Sequence, residues 1–223
     1  MTAATTSSDL AVDFLRPSPT QIRFEDIALG LSKCCRFAGQ CRGHYSVAQH
    51  SVLVALLLPE ELRWEGLLHD ATEAFMGDLS TPLKSMLPDY RKIEARLDAA
   101  IRIRAGLPSA PHPAVKRADQ IALAIEARDL MPPSALDWPE VRVVLEDPKC
   151  QRELQRTVSP AQSWAQAYPL FINALQSLAP NHLHKELAGL EDIQTTDSDV
   201  AVSEYLQIYP VAQRSDDFMR PRA

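Results

Sequence analysis

Residues 46–77 read SVAQHSVLVALLLPEELRWEGLLHDATEAFMG, and the punctuation of this stretch decides the fold class. Ser46, followed three residues later by Gln49, has the form of a capping box. In such a box the serine oxygen accepts from the first helical turn while the glutamine reaches back to the cap. A helix through SVAQHSVLVALLL follows. Pro59 suits the first turn of a second helix, where Glu60 and Glu61 complement the dipole. That helix is predicted to run through Trp64 and Leu68 to about Phe75, with Gly77 as its stop.

The helical period continues on both sides. An irregular N-terminal arm closes at Pro17 and Pro19, and a helix is expected from Phe24 to Cys35. Thr81-Pro82 begins a short helical turn. Tyr90, Ile93, Leu97 and Ile101 then recur at helical spacing until Gly106 and Pro108. Val115, Ala118, Ala122 and Ile125 mark another helix, and residues 130–139 are Pro-rich and irregular, with a short helix after them. Ser159-Pro160 is expected to open a last long helix through Trp164, Leu170, Phe171 and Leu175. From Asn181 the chain turns polar and acidic, which reads as a weakly ordered tail with one or two helical turns. No strand alternation persists, and no solenoid repeat is present. The expectation is an all-α protein: an arm over 1–19, a helical bundle domain over 20–180 and a polar tail over 181–223.

Composition narrows the function classes. The 223 residues are 46% hydrophobic and 23% charged, ordinary for a soluble globular chain. A formal net charge of −6 argues against duplex nucleic acid as a partner, which needs a basic footprint. A small phosphorylated substrate is compatible, since one local Arg or Lys suffices. No apolar run has the length of a membrane span, and MTAATTSSDLAVDF lacks the features of a secretory signal, so a cytoplasmic protein without membrane partners is expected. Cys34, Cys35, Cys41 and Cys150 have neither zinc-ribbon nor redox-pair spacing and read as free thiols.

The chemistry concentrates at His69-Asp70. Together with His50 upstream and Asp119 downstream, they supply two imidazoles and two carboxylates, a plausible ligand set for one divalent cation. Glu73 lies four residues beyond His69, one helical turn, where a carboxylate can orient or deprotonate an attacking water. Each residue taken singly has a plainer reading: a hydrogen-bonded core histidine, a helix cap, half of an ion pair. The joint pattern, in this order within one helical domain, is far less expected by chance.

The stretches CRFAGQCRGHYSVAQHS, LLHDATEAFMGDLSTPLK and VKRADQIA resemble the HD-domain metal-dependent phosphohydrolases over roughly residues 20 to 178. The nearer resemblance is to the bacterial 5'-deoxynucleotidase subgroup and related phage deoxynucleotide triphosphohydrolases. It implies an HD-domain helical bundle holding one divalent ion (Co, Mn, Zn or Fe) on His50, His69, Asp70 and Asp119. Glu73 and Asp78 are implied as catalytic residues, and Arg36 as the phosphate ligand. Phe37 stands where those enzymes usually carry Trp beside the base or sugar, and Lys84 is a candidate second phosphate contact. The segment between Asp70 and Asp119 also looks shorter than in those enzymes, which bears on pocket depth.

The activity implied is hydrolysis of deoxynucleotides, with phosphate release from dNMPs taken first and triphosphate release from dNTPs as the alternative. A non-enzymatic nucleotide sensor with an HD fold is the alternative of another class. An alarmone hydrolase ranks lower, because Ala74 stands where an Asp is usual. A di-iron oxygenase needs further histidines, and His44, His112, His182 and His184 lie in loops and the tail. The resemblance also implies a homodimer, with an exposed Trp138 as a candidate contact.

Overall fold

The structure, a computed structural model, describes residues 2–190. Among the described residues it is mostly helical, with one small hairpin, as the sequence pattern leads one to expect. The helices are α1 (Phe24–Lys33), α2 (Val47–Leu56), α3 (Arg63–Leu67), α4 (Glu73–Met76) and α5 (Thr81–Ser85), followed by α6 (Pro88–Ala105), α7 (Pro113–Leu130), α8 (Pro139–Leu145), α9 (Trp164–Leu178) and α10 (His184–Leu187).

Helix α2 is the centre of the molecule. The predicted capping box forms: Gln49 N–H donates to Ser46 Oγ at 3.2 Å, and Ser46 N–H donates to Gln49 Oε1 at 3.2 Å. Every residue from Val47 to Ala55 is buried, as expected for a helix that is apolar on most of its circumference. Its two faces serve two clusters. Val47, Ala48, Val52 and Ala55 pack with α1, α3, α6 and α9, whereas Leu53 and Val54 pack with α7 and α8. Any polar side chain carried by α2 therefore sits between two apolar masses.

Three departures from the sequence expectations have clear physical reasons. Ala3–Thr5 and Ala11–Asp13 pair as an antiparallel hairpin, β1 and β2, where an irregular arm without strands was expected. Three-residue strands are too short to show a period of two. Its stability comes from outside: Val12 is fully buried in the first cluster, and Asp26 Oδ1 accepts from Ser7 Oγ at 2.6 Å and from Ser8 N–H at 3.1 Å. The hairpin thus belongs to the domain expected to begin at residue 20.

At the other end, Leu183 and Leu187 are buried in the same cluster, and Gln176 Nε2 donates to the carbonyls of Leu187 (3.0 Å) and Leu190 (3.2 Å). Residues 181–190 are therefore packed rather than tail-like, and the remainder of the expected tail lies outside the described residues.

The third departure matters most for function. The single helix expected from Pro59 to Phe75 is broken into a 3-10 turn at Glu60–Leu62, then α3, then α4. Between the two α segments the backbone runs in tight i→i+3 turns: Leu68 N–H to Glu65 O, Ala71 N–H to Leu68 O and Glu73 N–H to Asp70 O. The His69-Asp70 pair sits inside this tightened segment. Smaller shifts occur elsewhere: α9 begins at Trp164, capped by Ser163 with Gln166, several residues later than Ser159 suggests.

Candidate metal centre

His50 comes from α2, His69 and Asp70 from the broken segment after α3, and Asp119 from the second turn of α7. Glu65 ties α3 to α6 by an ion pair and to the start of α7 by a hydrogen bond. Glu65 Oε1 accepts from Arg102 Nη2 of α6 at 2.7 Å and from the backbone N–H of His112, the cap of α7, at 2.9 Å. The four site residues converge. His50 Nε2 and His69 Nε2 are 3.3 Å apart, and one donor atom each from His50, His69 and Asp119 lie within 4.8 Å of one another. Asp70 Oδ2 lies 3.1 Å from His69 Nε2 and 3.4 Å from His50 Nε2, while Asp119 Oδ1 lies 3.9 Å from His69 Nε2 and 3.4 Å from His50 Nε2.

The chemistry of these donors fits a cation. His69 Nδ1 is 2.8 Å from the Gly66 carbonyl, which only accepts, so Nδ1 carries the proton. His50 Nδ1 is 2.7 Å from Glu126 Oε1 and donates there in the same way. In the neutral form of each ring the Nε2 lone pair then faces the other histidine, an arrangement typical of metal-ligating histidines. Ligand atoms about 2.1 Å from a shared ion, at angles between about 90 and 109°, are about 3.0–3.4 Å apart, and most of the separations match. His50 is wholly buried and His69 nearly so, whereas Asp70 and Asp119 are 24% and 21% exposed. The cluster opens to solvent on its carboxylate side.

Without a cation, protons and charges settle the repulsion. Burial and the Arg36 charge oppose protonation of His50, but Glu126, Asp119 and Asp70 outweigh them and hold its pKa well above the ordinary imidazole value. Burial would raise Asp70 and Asp119, yet the two histidines hold both carboxyls well below the usual range. Glu73 goes the other way: burial, with Asp70 and Asp78 nearby, pushes it up to about 9. Its Oε2 is buried and has no hydrogen-bond partner among the described residues.

Arg36 is buried beside this group. Its Nη2 donates to Glu126 Oε2 at 3.2 Å, Asp78 Oδ2 lies 3.7 Å from Nη1, and its Nε has no partner among the described residues. The turn that carries it is strained: Phe37 (φ 55) and Ala38 (φ 51) are left-handed, followed by Gly39 (φ 78). Two such non-glycine residues cost about 1–2 kcal/mol each. Asp78 holds the turn by accepting the Phe37 N–H at 3.2 Å, and the Phe37 ring lies 6.1 Å from Trp138. Trp138 is thus half-buried against Phe37 and the second cluster, a correction to its expected exposure. Lys84 stands apart from the cluster: its ammonium is 2.5 Å from Glu94 and lies over the Tyr90 ring.

Of the other histidines, His44 binds the Gln162 carbonyl, His112 caps α7 and His184 binds the Ala179 carbonyl. The four cysteines are free thiols, as expected.

Comparison with known proteins places the chain among relatives. An uncharacterized protein of Rhodobacter capsulatus is 41% identical over 133 residues, which span 53% of this chain and 68% of that protein. The uncharacterized protein YfdR of Escherichia coli K12 is 50% identical over 118 residues, 53% of this chain and 66% of YfdR. The chain belongs to the family of these two proteins. It matches about two thirds of the length of each, and no protein-family model matches it.

Two residues of this site escaped the sequence reading. Glu126 lies seven residues after Asp119, two helical turns along the same face of α7, and that spacing was the available signal. Lys116 lies one turn before Asp119 and binds its outer oxygen, Oδ2, at 2.8 Å. Its side chain is 72% exposed, so its role depended on where Asp119 points.

Proposed function

We propose that the protein is an HD-type metal-dependent phosphohydrolase acting on deoxynucleotides, in the first place a 5'-deoxynucleotidase that releases phosphate from dNMPs. The observation that carries this reading is the convergence of His50 and His69 Nε2 with Asp70 and Asp119, beside a buried Glu73 and a buried Arg36. These are the residues that the resemblance to the HD phosphohydrolases assigns to metal, water and phosphate.

One divalent ion (Co, Mn, Zn or Fe) held by His50, His69, Asp70 and Asp119 would supply an electrophile for a phosphoryl oxygen and ease the ionisation of water at neutral pH. The chain's own residues do the rest. Glu73 holds its proton at neutral pH in the cation-free protein. A cation held among the four ligands would offset Asp70 and favour the carboxylate form of Glu73, the form able to accept a proton from water. Arg36 stays charged throughout, because Glu126, Asp70, Asp78 and Glu73 outweigh the burial that opposes it. Its guanidinium suits paired contact with phosphoryl oxygens as charge develops on them. Phe37, with Trp138 behind it, offers an aromatic surface beside that arginine for a base or sugar.

The test is a panel of dNMPs and dNTPs incubated with Mn²⁺ or Co²⁺, scored for phosphate and for triphosphate. Phosphate from dNMPs is the expected result. Triphosphate release in its place would move the assignment to a dNTP triphosphohydrolase. Binding without turnover would mark a sensor, and neither binding nor turnover would end the nucleotide reading.

A further inference from the structure

We infer that Glu126 is a positioning residue that joins the cation site and the anion-binding arginine into one unit, by holding His50 through one carboxylate oxygen and Arg36 through the other. The inference rests on the reading of His50 as a metal ligand and Arg36 as a phosphate ligand. Glu126 is wholly buried on α7, and its partners come from two other parts of the fold: His50 from α2 and Arg36 from the strained turn before it. Oε1 accepts from His50 Nδ1 at 2.7 Å and Oε2 from Arg36 Nη2 at 3.2 Å, so each oxygen serves one subsite.

A purely structural role explains this arrangement poorly. A buried ion pair is often no more stabilising than apolar side chains of the same volume, so stability alone gives little reason for a carboxylate here. Its consequences for the site are specific. With the Glu126 acceptor present, the His50 proton stays on Nδ1 and the Nε2 lone pair faces His69. Without it, nothing holds the proton there, and a proton on Nε2 removes His50 as a donor. Arg36 would retain Asp78 at 3.7 Å, beyond hydrogen-bonding distance, as its remaining anchor. One substitution therefore disturbs cation and anion binding together, although neither ligand touches Glu126.

The experiment uses the full chain, with Zn²⁺ and inorganic phosphate as probes. Zn²⁺ affinity is read by competition with a chromophoric chelator, and phosphate affinity is read on zinc-saturated protein. Glu126→Leu, which removes both acceptor oxygens, is expected to weaken Zn²⁺ binding by about 10–100-fold and to weaken phosphate binding at saturating zinc as well. Arg36→Met is expected to weaken phosphate while retaining zinc. In that background Glu126→Leu should change zinc affinity alone, the non-additivity that marks a shared partner. A Glu126→Leu protein with a lowered melting temperature but either affinity unchanged overturns the inference in favour of a structural role.

Nitrogen-15 NMR of the zinc-loaded wild-type protein decides the matter even where the variants fail to fold. A hydrogen-bonded His50 Nδ1–H is expected, and a proton on Nε2 overturns the inference. Wild-type protein that binds no Zn²⁺ overturns the cation reading itself, and this inference with it. Zinc binding in the wild type that Glu126→Leu leaves intact overturns the inference alone.

Discussion

Asp70 and Glu73 are three residues apart and carry opposite electrostatic fates. Asp70 is kept ionised by the two histidines, whereas Glu73, buried with one oxygen unpartnered, is kept protonated. Their substitutions should separate accordingly. Asp70→Ala is expected to lose bound metal and turnover together. Glu73→Gln is expected to bind metal normally and lose about 10²–10⁴-fold in turnover. Metal analysis alongside steady-state rates distinguishes the two, and near-normal turnover in Glu73→Gln would remove that residue from the mechanism.

The same groups give the metal-free protein a defined pH dependence. The depressed carboxyls of Asp70 and Asp119 contribute stability that is present above 3.8 and lost as pH falls through their folded values. His50 contributes stability that is full below 6.5 and lost as pH rises through its raised folded value. Glu73 acts in the same direction, because its cost grows from 4.5 until about 9. In EDTA the melting temperature should therefore fall from about pH 5 towards pH 9, and the increment from added Zn²⁺ should grow over that interval. A flat EDTA profile, or a pH-independent increment, would contradict the charge assignments.

Among elements, α2 and the broken segment after α3 supply three of the four candidate ligands, His50, His69 and Asp70. The capping box and apolar run of α2 were legible from Ser46, Gln49 and the LVALLL pattern, because both signals are local. The break at His69 was not legible. Helical periodicity continues through it, and the i→i+3 turns reflect contacts to other elements. One such contact is the approach of α4 to α1. A Cβ on Gly30 would lie 2.5 Å from the Ala74 carbonyl oxygen, a backbone atom that cannot give way cheaply. Gly→Ala inside a helix ordinarily stabilises by about 1 kcal/mol through propensity. Here the clash should win, making Gly30→Ala destabilising by about 1–3 kcal/mol, as for overpacked cores. The expected readings are a lower urea midpoint and reduced turnover, since α4 carries Glu73, with metal binding retained. A raised urea midpoint would show that α1 and α4 can separate freely.

At the scale of the whole molecule, two apolar clusters share α2, and the chain ends of the described region complete the first of them. Val12 of the hairpin and Leu187 of α10 are both buried there, far apart in sequence. Leu187→Ala should therefore cost about 2–5 kcal/mol, the range for a core leucine. A loss below about 0.5 kcal/mol, the range of surface substitutions, would return residues 181–190 to the tail that their polar composition suggested.

What the sequence by itself determined is the local and periodic part: the helices other than the broken one after Pro59, the capping box of α2, the stops at Gly77 and Gly106, and the residue types able to form a ligand set. Tertiary structure alone decided which of those residues meet. It brought His50 to 3.3 Å from His69, set Glu126 behind His50, and turned Lys84 toward Glu94. The physical reason is range. Caps and periodicity are set by neighbours within a turn or two, whereas a buried carboxylate acquires its role from side chains 76 and 90 residues away.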